Sequence, residues 1–461
     1  MGRLSLPFES YSNPPSSTAK MLNCYIEQLP PDAKTPTLLT RAPGVLAWST
    51  VGNGPIHTMI QAFGYLFVVS GTKLYRVDSN KTATELGDIG AVNATGLDID
   101  RNATSVVVVN RPNAYYYDGT TFAQITDSDF TSRGATDVEF DSNFLLFLEP
   151  DSGRFFGSDL GDETSYDALN FATAEAVPDN LVGMKVDHQQ VVLLGEESIE
   201  IWQNTGIAGF PYERVTNGFV EIGCFNGRTV AKLDNSGVWL ANDYTVRRLN
   251  GVTPVRISHH GVEQSIQTAS IASARAYSYT RSGHLFYVLT FPEVTWVYDA
   301  TTQKWHERQT YGYNNWHAHC HAQAFGLELV GSSVSNEIGE LRNDTYTEFS
   351  GTQRAHWVYQ PIYSEGITAF HDRLEIVCKT GVGTTSGQGS NPEIMLDYSD
   401  DGGITWVSLP NKSLGPLGQY RKKVEWRALG SSPQRVYRAA VSDPVELQIV
   451  DTIADVRGGL V

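Results

Sequence analysis

Cysteine is scarce in this chain. Cys24, Cys224, Cys320 and Cys378 are the only four in 461 residues, widely separated and without a CxxC pair. That argues against a disulfide framework and makes a reducing compartment the default. The Asn-x-Ser/Thr sites, such as Asn93 and Asn102, then carry no glycosylation meaning. Long apolar runs are missing too. Tyr65–Val69 and Val106–Val109 fall far short of the roughly 18 residues a membrane helix needs, so no membrane insertion is expected. The opening stretch MGRLSLPFESYSNPP has no apolar core of signal-peptide length, and Leu6 stands where a myristoylation signal needs Ser or Thr. Positive charge is in deficit: 34 Lys and Arg face 51 Asp and Glu, a formal net charge of −17. This excludes a surface that grips nucleic acid by neutralising phosphates, although a duplex could still pass nearby. Helical periodicity is nearly absent. Its best stretch is Ser258–Ala276, where Val262, Ile266 and Ile271 space loosely as one face of a short connector. Walker A, GxSxG and HExxH patterns are all absent.

What is present is β grammar. Gly283–Arg308 reads strand, turn, strand, turn, strand: Leu285, Tyr287 and Leu289 alternate with Phe286, Val288 and Thr290. After a turn at Pro292, the run Thr295–Tyr298 follows, then turn residues Asp299–Lys304 and a new strand at Trp305. Similar hairpin signals arrive every 40 to 50 residues from about 55 to 345, the spacing of four-stranded propeller blades. The expected fold is all-β, a propeller-like core of six or seven small antiparallel sheets followed by a β-sandwich-like domain. Three segments are expected. Residues 1–50, rich in Pro, Ser and Thr, form an extended arm that packs on the C-terminal domain or a neighbouring subunit. Residues 51–348 form the propeller and residues 349–461 the sandwich-like platform, with Gly381–Pro392 as a long flexible hairpin tip.

Candidate chemistry is thin. His317, His319 and His321 would share one face of a strand and are the best metal candidates. Surface or interface histidines in a turn-rich β protein are the commoner origin of such spacing, so no metal, cofactor or catalytic residue is assigned. Ser399, Asp401, Gly403 and Trp406 complete the Asp-box pattern S-x-D-x-G-x-x-W. Its chemistry is structural: the carboxylate accepts turn amides, Gly takes a positive φ, and Trp packs beneath the hairpin. Asp boxes occur in sialidases, but there several are distributed over the blades, with an arginine cluster that cannot be assembled here. The acidic pairs Asp159/Asp162 and Glu196/Glu197 could serve glycoside hydrolysis but fall in a polar loop and a hairpin turn. Arg421–Lys423 is the only short basic run and reads as an exposed strand edge.

Six ordered blocks carry more information than any site: LNCYIEQLP (Leu22–Pro30), RAPGV (Arg41–Val45), SDLGDETSYDALNFATAEAVPDNLVG (Ser158–Gly183), GEESIEIWQNTG (Gly195–Gly206), GHLFYVLTFP (Gly283–Pro292) and VYDATTQKWHER (Val297–Arg308). In this order the chain resembles the tail hub, or packaged-DNA stabilisation, family of short-tailed bacteriophages, over nearly its whole length. The resemblance implies a non-enzymatic virion protein of the tail, assembled in the host cytoplasm. It implies a homo-hexameric ring with propeller-like subunits below the portal-adaptor ring, extending the DNA channel and retaining the packaged genome. Tailspikes or tail fibres and a tail needle or plug would dock on it. Double-stranded DNA would pass through the lumen without specific binding. An acidic lining would let phosphates slide without adhesion, leaving retention to ring closure or a plug. The competing expectation is a carbohydrate-active or receptor-binding phage propeller, sialidase-like or a depolymerase, with an acidic and aromatic pocket at the propeller mouth.

Overall fold

Short β-branched and aromatic runs broken by Gly, Asn and Asp build small meanders rather than long sheets. The computed structural model describes residues 2–13, 17–364 and 366–459; residues 14–16, within the Ser12–Thr18 proline and serine stretch, lie outside the described residues. Contacts divide the chain into two units. One holds residues 47–293 and 317–340, the other residues 1–46, 294–316 and 341–461.

The first unit is built on propeller blades. Blade one is Ile56–Ala62, Tyr65–Ser70, Lys73–Val77 and Ala83–Asp88; blade two is Leu97–Arg101, Val106–Asn110, Asn113–Tyr117 and Phe122–Gln124. Blade three runs Val138–Asp141, Phe144–Leu148, Arg154–Asp159 and Asp162–Thr173; blade four runs Leu181–Asp187, Gln190–Gly195, Ile199–Asn204 and Tyr212–Val220. Blade five is Ala231–Lys232, Gly237–Leu240, Val246–Asn250 and Thr253–Arg256. Blades six and seven open with Arg275–Arg281 and Ala318–Ala324, each followed by an antiparallel partner, His284–Thr290 and Leu327–Ser332. The first strands stand side by side in sequence order, with the 3-10 turn Gly227–Thr229 at the head of blade five meeting the first strand of blade four, and the seventh touches the first, which closes a ring. The expected six or seven sheets are therefore seven.

Turn chemistry recurs from blade to blade. After the third strand, Asp78 Oδ1 accepts the amides of Asn80 (2.9 Å) and Thr82 (2.8 Å). At the same place in blade two, Asp118 Oδ1 accepts those of Thr120 (2.8 Å) and Thr121 (2.6 Å). An Asp there supplies the acceptor that a tight reversal leaves its amides without. Between blades lie apolar layers. Val107 and Val109 face Leu145 and Phe147 of blade three, while Val106 and Val108 face Phe67 and Val69 of blade one. A strand buried on both sides needs a continuous apolar run, which is why four valines stand in a row. Each such buried valine stabilises the fold by about 1.5–3 kcal/mol. The last layer joins blade seven to blade one, and Trp48 and Val51 pack into it with Ile56, Leu66, Leu329 and Ile338.

One close approach requires glycine. A Cβ at Gly227 would lie 1.9 Å from the carbonyl oxygen of Val182 and 2.6 Å from Gly183 Cα. Gly227→Ala is expected to push the start of blade five off blade four, at about 1–3 kcal/mol for the overpacking. A urea-denaturation midpoint equal to that of the wild type would contradict this.

Helix is confined to short pieces in this unit. The expected connector is the eight-residue helix His260–Gln267, capped at its start by His259 Nδ1 and burying Val262 and Ile266; Ile271 lies beyond it in a separate 3-10 turn. A one-turn helix, Ser128–Thr131, escaped the sequence reading because four residues carry no periodicity. Asp127 caps it and Phe130 anchors it among Phe147, Phe156 and Tyr166.

The second unit is a sandwich. One sheet orders Cys24–Gln28, Thr37–Arg41, Gln448–Gly458, Ala369–Cys378 and Val424–Arg427. In the other, Ser17–Leu22 lies between Lys304–Arg308 and Ala355–Val358, followed by Gln434–Val441, Glu393–Ser399 and Val407–Ser413. Residues from both ends of the chain share the core, where Leu4, Leu6, Met21 and Ile26 pack with Trp357, Leu374, Trp426 and Ile449. Gly381–Pro392 is not a hairpin tip. It links Ala369–Cys378 in the first sheet to Glu393–Ser399 in the second, and Val382 packs on the core beneath it. A Gly- and Ser-rich stretch between two strands reads the same way whether the chain turns back or changes sheets. The strand Val407–Ser413 carries little sequence signal, because an exposed edge strand need not be apolar and tolerates its Pro410.

Candidate functional site

Two polar centres stand out, one in each unit, and the sequence analysis anticipated neither. The first lies on the inner strands of blades two to four. Blade two carries Asp98 and Asp100 at alternate positions, and their carboxylates accept the backbone amides of Val138 (3.4 Å) and Phe140 (2.7 Å) in blade three. Blade three repeats the device. Asp137 and Glu139 accept the amides of Met184 (2.8 Å) and Val186 (3.2 Å) in blade four. An inner strand shows its neighbour an unpaired edge, and a carboxylate every second residue satisfies it while setting the register between blades. Lys185 Nζ contacts Glu139. Burial opposes the lysine charge, but Glu139, Asp98 and Asp137 outweigh it and hold the ammonium above its ordinary range. Burial also pushes Asp100 and Asp137 up, and Glu139 up to about 7. The available signal was acids alternating with apolar residues inside β runs, Leu97-Asp98-Ile99-Asp100 and Asp137-Val138-Glu139.

The second centre lies in the sandwich unit. Arg308 and Glu348 are fully buried and pair at 2.9 Å. The guanidinium carbon of Arg308 lies 3.9 Å from the Trp316 ring centroid, and Trp316 Nε1 donates to the other Glu348 oxygen at 2.8 Å. Gln353 Nε2 donates to Glu348 at 3.2 Å and to the Pro43 carbonyl at 3.1 Å, while its Oε1 accepts Arg41 Nε at 2.9 Å. Arg41 also donates to the carbonyls of Asp443 (2.6 Å) and Val445 (2.9 Å). Burial pulls the Arg41 guanidinium down to about 10. Beside this network Asn23, at φ 54, donates Nδ2 to the carbonyls of Gln309 and Arg354, each at 2.9 Å. Gly44 is required because a Cβ there would lie 2.3 Å from the Thr345 carbonyl oxygen. Three of the ordered sequence blocks, Leu22–Pro30, Arg41–Val45 and Val297–Arg308, thus converge on one buried polar knot.

The residues singled out in the sequence fall at separate places in the fold. His321 Nε2 meets Glu328 at 2.6 Å and stacks on Tyr277. His319 lines the propeller's central cavity and His317 is buried. A register shift between Ala318 and Cys320 breaks the simple alternation of that strand. Among the described residues no three His, Cys, Asp or Glu side chains group as a metal set. The four cysteines are free thiols, and no helix among the described residues is long and apolar enough to cross a membrane.

The Asp box makes the turn between Glu393–Ser399 and Val407–Ser413. Asp401 Oδ1 accepts Ser399 Oγ (2.6 Å) and the amides of Ile404 and Thr405 (2.9 Å each), and these bonds hold its carboxyl below the usual range. Gly403 sits at φ 97, and Trp406 Nε1 donates to its carbonyl at 3.0 Å. Asp401→Ala is expected to speed amide exchange at Ile404 and Thr405 while leaving Glu393–Ser399 protected; unchanged exchange at the tip would contradict this assignment.

Asp159 and Asp162 close the exposed hairpin between the outer strands of blade three, where Asp162 Oδ1 accepts the Thr164 amide at 2.9 Å. Glu196 and Glu197 are exposed in a turn clamped by Asp179, whose Oδ2 accepts the amides of Glu197 (2.8 Å) and Ser198 (3.0 Å). Arg421–Lys423 is exposed and leads into the sheet-edge strand Val424–Arg427.

Comparison with known proteins agrees with this two-part architecture. The family described as Bacteriophage P22 Gp10, beta-propeller, matches residues 34–346, and Bacteriophage P22 Gp10, beta-sandwich, matches residues 356–457. The tail hub protein gp10 of Salmonella phage P22 is 23% identical over 392 residues, 79% of each chain. Among solved structures, the computationally designed Ika8 protein is 13% identical with a TM-score of 0.40, covering 64% of this chain and 99% of its own. The Pan2 WD40 domain of Neurospora crassa is 9% identical with a TM-score of 0.41, covering 64% and 91%. With both domains matched in order along one polypeptide, the chain belongs to the bacteriophage P22 Gp10 family.

Proposed function

We propose that the protein is a structural subunit of a phage tail hub and not an enzyme. The observation that carries this reading is the tandem match of propeller and sandwich to one family, with a tail hub protein aligned over 79% of both chains. In this reading six copies form a ring below the portal-adaptor, extend the DNA channel, help retain the packaged genome, and dock tailspikes or fibres and a plug. Residues 51–348 supply the propeller module of each subunit. The arm 1–50 and the platform 349–461 supply the remainder. The net charge of −17 suits a channel through which phosphates move without adhering.

Deleting the gene from its phage, with complementation as the control, tests the reading. Heads that fill and then leak DNA, with the distal tail missing, are the expected result. Full, stable, properly tailed particles that merely fail to bind or degrade a surface glycan would overturn it.

A further inference from the structure

The propeller's central cavity has a volume of about 340 Å³ and is lined by residues on or beside the first strands of all seven blades. Its two sides differ. On one, Asp98, Asp137 and Lys185 belong to the carboxylate ladder described above. On the other stand Arg275, Arg228, His57 and His319. Arg275 donates Nη1 to the His57 carbonyl at 3.1 Å and has no carboxylate at ion-pair distance among the described residues. The one titratable neighbour that favours its charge is the Cys320 thiol, and burial pushes that thiol up to about 12, so it stays neutral near pH 7. Burial draws Arg275 itself down to about 10, still charged at neutral pH. His319 is only 9% exposed and lines the same cavity; its ring lies against the His57 backbone, and among the described residues neither ring nitrogen makes a hydrogen bond of good geometry.

A half-buried cation without an anion and a buried imidazole without a well-formed hydrogen bond both favour an added partner. One occupant would satisfy both at once. A guanidinium presents a planar fork of donors matched to two oxygens of one anion, and a neutral imidazole adds a donor from the side. We propose that this side of the cavity binds a small tetrahedral oxyanion, phosphate or sulfate, through Arg275 and His319, with His57 and Arg228 adjoining. A duplex is far too wide for a space of this volume, so the ligand is a free oxyanion and not a backbone phosphate of DNA.

Isothermal titration calorimetry of the full chain with inorganic phosphate and with sulfate, at ionic strength held constant with chloride, tests the proposal. One saturable site per chain is expected, weakened about tenfold or more in Arg275→Met, as loss of a charge-assisted hydrogen bond implies. Should Arg275→Met fail to fold, His319→Phe and Arg275→Lys carry the same test, because one keeps the cation and the other keeps its charge but loses the fork. Both are expected to bind more weakly. The absence of saturable heat, an affinity unchanged in every variant, or binding of a short duplex without binding of inorganic phosphate would overturn the proposal.

Discussion

Glu348→Ala is expected to destabilise the sandwich unit by about 3–5 kcal/mol, the cost of removing one partner from a buried ion pair. The reason lies in what stays behind. Arg308 is fully buried; among the described residues its Nε and Nη1 have no hydrogen-bond partner and Glu348 is the one anion it contacts. Without Glu348 its charge would rest on the Pro43 carbonyl and the Trp316 face alone. Trp316 Nε1 would also lose its Glu348 acceptor, while Gln353 Nε2 would keep only backbone carbonyls, those of Ala42 and Pro43. Urea denaturation followed by tryptophan fluorescence reads the loss, since Trp316 sits in the network. The double variant Arg308→Met with Glu348→Leu is expected to be more stable than Glu348→Ala alone, because it removes the stranded charge as well. A single variant within about 1 kcal/mol of the wild type would contradict the role assigned to the pair.

Glu139→Gln is expected to gain stability relative to the wild type as pH rises from about 5 to 8. Burial lifts the Glu139 carboxyl from 4.5 to about 7 in the folded chain. Its folded-state value is therefore above the unfolded one, and the folded state holds the proton more tightly. The stabilisation is fully present below about 4.5 and is lost as pH rises through about 7. Over that window the change amounts to about 3 kcal/mol at most. Glutamine has the shape of the protonated acid and does not titrate, so the two proteins should agree near pH 5 and diverge above it. Lys185 stays charged throughout this range and adds no slope of its own. Because Asp100 and Asp137 are raised as well, and the half-buried His57, lowered to about 4, acts in the opposite sense below 6.5, the informative quantity is the difference between the two proteins at each pH. A difference constant from pH 5 to 8 would exclude the assignment.

Much of the propeller was legible because its signals are local. Each blade is a meander whose strands pair with their sequence neighbours, so the Asp118-Gly119 turn and the run Val106–Val109 could be read without knowing what they touch. The Asp box was legible for the same reason, since Ser399 to Trp406 contains both donors and acceptors. The buried centres were not. Arg308 is 40 residues from Glu348, and Arg41 is 312 residues from Gln353. In the sequence Glu348 is one acid among 51.

The amino-acid order by itself determined that this chain would be all-β, made of repeated small sheets with a second β domain, and that it would carry a net charge of −17. Periodicity of two, turn residues and net charge are properties of neighbouring residues or of plain sums, and they survive without coordinates. Only the tertiary structure decided that the blades number seven, that both chain ends share one sandwich core, and that carboxylates latch blades two, three and four together. Only it showed that three distant sequence blocks meet at Glu348 and Asn23. These outcomes depend on which distant groups are taken from water together. The cost of burying a charge or an amide is decided by the partner it meets there, and that partner cannot be read from the residue itself.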